Sequence, residues 1–142
     1  MRTKAKEIMT SPVITVQSTA SLDEVMALLL EHQVSGLPVV DAEDRLIGVI
    51  TELDLLKLLY GKLKIDNTRV SDYLTKPVVT INEEDSVIDV AGVFMNHSIR
   101  RVPVVREEKV VGIISRRDMI RYIRDVRRMV SQELNRPAKA AT

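Results

Sequence analysis

The sequence predicts an α/β (α+β) fold built from two copies of one unit, each ordered strand, helix, strand, strand, helix behind a short lead-in. Three observations predict it: a set of motifs stated twice about 65 residues apart, a capped helical period in each copy, and a pair of β-branched runs in each copy.

The repeat opens with Met9-Thr10-Ser11-Pro12-Val13-Ile14-Thr15, answered by Leu74-Thr75-Lys76-Pro77-Val78-Val79-Thr80, a shift of 65. Leu37-Pro38-Val39-Val40 and Val102-Pro103-Val104-Val105 keep that shift. The closing motif, Gly48-Val49-Ile50-Thr51-Glu52-Leu53-Asp54 against Gly112-Ile113-Ile114-Ser115-Arg116-Arg117-Asp118, has a shift of 64, so the second copy loses one residue between them. Even the lead-in recurs, Lys4-Ala5-Lys6-Glu7-Ile8 lying over Arg69-Val70-Ser71-Asp72-Tyr73.

Within a unit, Ser21 is placed to cap a helix with Glu24 reciprocating, and Val25, Leu28, Leu29 and His32 follow at helical spacing. Ser86 and Asp89 do the same before Val90, Val93, Phe94 and His97, and both helices are expected to end just before Val34 and Ile99. Two β-branched runs follow, 37–41 and 45–51, with counterparts at 102–106 and 109–115. Val and Ile on both sides of each run mark strands buried on two faces. A second helix is predicted from Glu52 to about Tyr60 and from Arg116 to about Leu134. The first repeat, with its lead-in and connector, then spans 1–66, with the connector itself read at Gly61–Thr68. The second spans 67–134, and 135–142 reads as a flexible tail.

Composition bounds the function. The chain has 142 residues, 45% hydrophobic and 29% charged, the balance of a globular protein. A half of that length buries only about 60% of its unfolded surface alone, so the two halves are expected to pack on each other. No apolar run approaches the length of a membrane span, and the first residues lack a hydrophobic signal core, from which a cytoplasmic location is expected. With no cysteine, a disulfide framework, a thiolate zinc site and a cysteine nucleophile are excluded. A net charge of +1 gives no global ground for a nucleic-acid partner. Six arginines against three acids between Arg116 and Glu133 make the last helix basic, either as a solvated face or as a surface for partner docking or nucleic-acid contact.

Thr51 and Ser115 stand where a strand ends and a helix begins, a place that favours anions. Asp54 and Asp118, three residues on, can each accept two hydrogen bonds at once, as a vicinal ribose diol requires. The same spacing is also a capping box, and the two roles are compatible. Arg100-Arg101 precedes Val102-Pro103 with two guanidinium groups able to grip phosphate, where Ser35-Gly36 precedes Leu37-Pro38 with an open approach. His32 and His97 hold equivalent helix ends, suited to the dipole rather than to a metal. Glycines stand only at 36, 48, 61, 92 and 112, so there is neither a dinucleotide fingerprint nor a Walker loop, and no nucleophile motif is recognisable.

Together the Met-Thr-x-x-Val-x-Thr opening, the Pro-Val-Val strand and the Gly-to-Asp ending resemble a tandem pair of cystathionine-β-synthase (CBS) domains, a Bateman module, over about Lys4 to Ile123. The resemblance implies two small three-stranded sheets packed face to face about a pseudo-twofold axis, with two clefts between the units. It further implies a non-catalytic module that binds an adenosine-containing nucleotide (AMP, ADP, ATP or a related adenosyl ligand) as a regulatory ligand. Pairing into a homodimer and regulation of a partner protein, energy sensing included, follow from the same resemblance. Each cleft would take its hydroxyl and aspartate from one repeat and its adenine-contacting strands from the other. One site would join Thr51 and Asp54 to Val78, Val79, Ile99, Arg100, Arg101 and Pro103; the second would join Ser115 and Asp118 to Val13, Ile14, Val34, Ser35, Gly36 and Pro38. With one Phe, three Tyr and no Trp, adenine would lie between aliphatic groups. The competing expectation is a ligand-independent dimerisation or interaction scaffold that uses the arginine-rich last helix.

Overall fold

Each pair of β-branched runs forms an antiparallel hairpin in the computed structural model, which describes residues 2–60, 69–76 and 78–137. The expected connector at 61–68, Pro77 and the end of the expected tail beyond Pro137 lie outside the described residues. In the first hairpin β2 (Gly36–Val40) pairs with β3 (Leu46–Thr51), and in the second β5 (Arg101–Arg106) pairs with β6 (Lys109–Ser115). A two-residue strand adds parallel to each, β1 (Val16–Gln17) on β2 and β4 (Ile81–Asn82) on β5, giving two three-stranded sheets of the same order. The added strands are parallel because a helix separates them from their partners: α2 (Leu22–His32) in one repeat and α4 (Val87–Asn96) in the other.

The ladder accommodates its prolines. β1 pairs only with Val39 and Val40, so Pro38 in the central strand lies beyond the parallel ladder, where a residue without an N–H is tolerated. The lost residue of the second copy falls in the hairpin turn. The first turn closes around Asp41, whose Oδ1 accepts from the N–H groups of Glu43 and Arg45 at 2.9 and 3.0 Å. The second is the tighter two-residue turn of Glu107 and Glu108, both left-handed at φ 49° and 69°.

The capped helices form as the spacing predicts, with two differences. Ser21 Oγ accepts from the Glu24 N–H at 3.1 Å without the reciprocal side-chain bond expected of Glu24, whereas Ser86 and Asp89 make both bonds. The helix after β3, α3 (Glu52–Leu56), stops short of Tyr60 and tightens into a 3₁₀ turn at Lys57–Leu59. Its Leu53, Leu56 and Leu59 are exposed, and little burial is left to hold further α-helical turns. The helix after β6, α5 (Arg116–Leu134), has the full expected length.

The lead-ins exchange partners. The first, α1 (Ala5–Ile8), buries Ala5 in the core of the second repeat, among Ile81, Val90, Val102, Val104 and Ile114. The second lead-in, a 3₁₀ turn at Val70–Asp72, buries Val70 in the core of the first, among Val25, Leu37, Val39 and Ile50. Backbone pairs tie the exchange down: Thr10 with Ile113 and Thr75 with Val49. These contacts are reciprocal at equivalent positions, as an internal twofold requires. Elsewhere the two sheets meet where Arg45 bridges Lys109 and the Leu46 N–H donates to Glu108 C=O at 2.9 Å. Each hydrophobic core is thus completed by chain from the other repeat.

Candidate functional site

Both closing motifs fold into complete capping boxes at the start of a helix. Thr51 Oγ1 accepts from the Asp54 N–H at 3.2 Å, and Asp54 Oδ2 accepts in return from the Thr51 N–H at 2.9 Å and its hydroxyl at 3.0 Å. Ser115 Oγ accepts from the Asp118 N–H at 3.1 Å, and Asp118 Oδ2 accepts from the Ser115 N–H at 2.8 Å. Each helix start is also tied to the entrance of the neighbouring strand in its own repeat. The Glu52 N–H donates to Ser35 C=O at 2.9 Å, and the Arg116 N–H to Arg100 C=O at 3.0 Å.

The two aspartates are both buried, 4% and 9% exposed, and their free oxygens have different partners. Asp54 Oδ1 accepts from the hydroxyl of Thr75 at 2.9 Å and lies 3.7 Å from Lys57 Nζ. Asp118 Oδ1 accepts from Arg121 Nη1 at 3.0 Å. Lys57 and Arg121 each follow their aspartate by three residues, one helical turn on, which is why they reach it.

Between the repeats lies a cavity of about 580 Å³, within the range of small-ligand pockets. Its walls bring together Val34, Ser35 and Glu52 of the first repeat with Arg100, Arg101, Ser115, Arg116 and Arg117 of the second. Ser35 answers Arg100 at the shift of 65 and Glu52 answers Arg116 at 64, so the cavity straddles the internal twofold. Four guanidinium groups against one carboxylate make it an anion-receptive space, and Leu29 and Leu30 supply an apolar wall. Arg116 is held in place, its Nε donating to Ile99 C=O at 2.9 Å.

This arrangement matches a known family. The model of the CBS domain family matches the chain twice, over residues 5–61 and 70–125. The chain belongs to the CBS domain family. Among its curated relatives, the uncharacterised MJ1225 of Methanocaldococcus jannaschii is 36% identical over 83% of this chain, and the chain spans 42% of that protein's length. Among solved structures, Arabidopsis thaliana CBSX2 in complex with AMP superposes with a TM-score of 0.78 at 28% identity, covering 88% of this chain and 98% of its own. The CBS domain pair of MJ0100, solved with 5-methylthioadenosine and S-adenosyl-L-methionine, does so with 0.77 at 32% identity, covering 89% and 99%.

The structure distributes the sequence-derived residues over several places. Val34, Ser35 and Ser115, assigned together to one site, line the inter-repeat cavity, and so do Arg100 and Arg101, which were assigned to the other. Val13 and Val78 line separate cavities of about 510 and 480 Å³ beside the hairpins. Neither they nor Ile14 and Val79 lie in a strand, because β1 and β4 begin only at Val16 and Ile81. Ile14 and Val34 pack against the first core, and Val79 and Ile99 against the second. Gly36, Pro38 and Pro103 sit in the central strands, the prolines buried. Sequence reasoning missed Thr75, Lys57, Glu52 and Arg121. A basic residue three after each aspartate was legible in both copies; the Thr75 contact, between residues 21 apart, was not.

Proposed function

We propose that the chain is a non-catalytic regulatory module that binds an adenosine nucleotide between its repeats and passes the ligand state to a partner protein. The observation that carries this reading is the cavity straddling the internal twofold, with Ser115 and four arginines on its walls. In it Arg100, Arg101, Arg116 and Arg117 receive the phosphate, Ser115 offers its hydroxyl, and Val34 and Ser35 border the base. Asp118, one helical turn into α5, is the acceptor for the ribose. The AMP complex of CBSX2 and the methylthioadenosine and S-adenosylmethionine complexes of the MJ0100 pair support the ligand class. The ligand moves an equilibrium by its differential affinity for two states, here two angles between the repeats or between chains.

Calorimetry and thermal unfolding with AMP, ADP, ATP, methylthioadenosine and S-adenosylmethionine test the reading. A saturable heat and a raised Tm, both lost in Asp118→Ala, are expected, since a ligand of the native state stabilises it by RT ln(1 + [L]/Kd). No response from any of the five at millimolar concentration would overturn it.

Two copies of the chain pair in the same reading. Leu56 and Leu59 are 54% and 72% exposed, and their counterparts at the shift of 64, Ile120 and Ile123, are 64% and 49% exposed. Apolar side chains left open at the same positions of both repeats suit a twofold interface with a second copy. No helix of the described residues is long and apolar enough to cross a membrane.

A further inference from the structure

We propose that Thr75 makes the two clefts unequal: it closes Asp54 to a ribose and leaves the cleft of Ser115 and Asp118 as the one that takes the adenosine ligand. This rests on the functional reading above and adds which cleft is receptive and why.

A carboxylate offers about four acceptor positions, and a vicinal diol donates two hydrogen bonds to it. On Asp54, Oδ2 already accepts twice from Thr51, through its N–H and its hydroxyl, and Oδ1 accepts from Thr75. Among the described residues this leaves one position, on the oxygen that stands 3.7 Å from the Lys57 ammonium. On Asp118, Oδ2 accepts once from the Ser115 N–H and Oδ1 once from Arg121, so among the described residues two positions remain. The diol therefore fits Asp118 and does not fit Asp54.

The two blocking groups also differ in how readily they withdraw. Arg121 is a long side chain, 59% exposed, that can swing into water and there keep its charge solvated. The backbone of Thr75 is tied down. Its N–H donates to Val49 C=O at 2.8 Å and its C=O accepts from the Val49 N–H at 3.2 Å, which keeps its short side chain beside Asp54. Thr10 is its counterpart at the shift of 65 and makes the same backbone pair with Ile113 at 2.8 and 3.1 Å. Among the described residues the Thr10 hydroxyl makes no bond to Asp118. At this pair of contacts the backbone obeys the twofold and the Thr75 side-chain bond breaks it.

Binding stoichiometry for AMP on the full chain decides the matter. One AMP per chain is expected in the wild type, two in Thr75→Val, which keeps the β-branched shape and removes the donor, and one in Thr75→Ser, which restores it. Two equivalent sites in the wild type, or a single site in a Thr75→Val variant that still unfolds cooperatively in urea, would overturn the proposal. If AMP does not bind the wild type at all, the functional reading loses that ligand, and urea unfolding still decides the Thr75 bond. Thr75→Val and Asp54→Ala combined are then expected to shift the midpoint no further than Asp54→Ala alone, and additive shifts would overturn the closure.

Discussion

Met9 fills the space that a Cβ on Gly112 would occupy, its Cγ 2.8 Å and its Cβ 3.1 Å from that position. The reciprocal contact sets Gly48 against the second lead-in, where an added Cβ would stand 3.3 Å from Leu74 Cγ and 3.0 Å from the carbonyl oxygen of Thr75. Both glycines are there for close approach of one repeat's lead-in to the other repeat's sheet. Gly112→Ala displaces a flexible thioether chain, whereas Gly48→Ala presses on a backbone carbonyl held in a two-way pair with Val49. Urea unfolding is expected to show Gly48→Ala costing about 2 kcal/mol, in the range of overpacked cores, and Gly112→Ala less than half of that. Equal costs would mean that the carbonyl yields as easily as the methionine.

The first lead-in is also held by charge. Glu84 Oε2 and Oε1 lie 2.6 and 2.8 Å from Lys4 and Lys6 Nζ, and these hydrogen bonds lower the Glu84 carboxyl from 4.5 to about 2. A depressed folded pKa contributes stability that is fully present above the unfolded value and is lost as pH falls through the folded one. Stability from this cluster should therefore decline between pH 4.5 and about pH 2. Glu84→Gln should flatten that part of the pH profile of the unfolding midpoint. The cluster is exposed, so the effect should shrink in 1 M salt.

The arginines of the cavity predict a selectivity by ligand charge. Arg101→Ala should weaken AMP about tenfold, the loss of one charge-assisted hydrogen bond of roughly 1.4 kcal/mol. The same substitution should leave 5-methylthioadenosine, which has no phosphate, unchanged. Paired titrations of the two ligands measure the difference. An equal loss for both would mean that Arg101 shapes the cavity and does not hold phosphate.

The proposed pairing of two chains through the exposed Leu56, Leu59, Ile120 and Ile123 predicts a concentration-dependent dimer. Sedimentation equilibrium should find two chains per particle in the wild type and one in the double variant Leu59→Glu with Ile123→Glu. A monomeric wild type would remove the second copy from these residues.

Much of this was legible without coordinates. The caps at Ser86, Thr51 and Ser115, the hairpins and the full length of α5 are local: they depend on residues within a few positions of each other, and the doubling made each pattern visible twice. The reach of Lys57 and Arg121 to their aspartates is of the same kind. Other features followed from contacts that no spacing announces. The late start of β1 and β4 depends on where β2 and β5 offer a partner, and the early end of α3 on what lies beside it.

The sequence by itself determined the duplicated α/β unit, its helix caps and the residue types available to an anion, because periodicity and capping act over short stretches of chain. Tertiary structure alone decided that the lead-ins cross to the opposite repeat, that Arg100 and Arg101 share one cavity with Ser115, and that the Thr75 hydroxyl donates to Asp54. Those three depend on how the halves dock, and docking is set by which buried surfaces complete each other's cores. A repeat specifies equivalent positions; the packing between its copies makes them unequal.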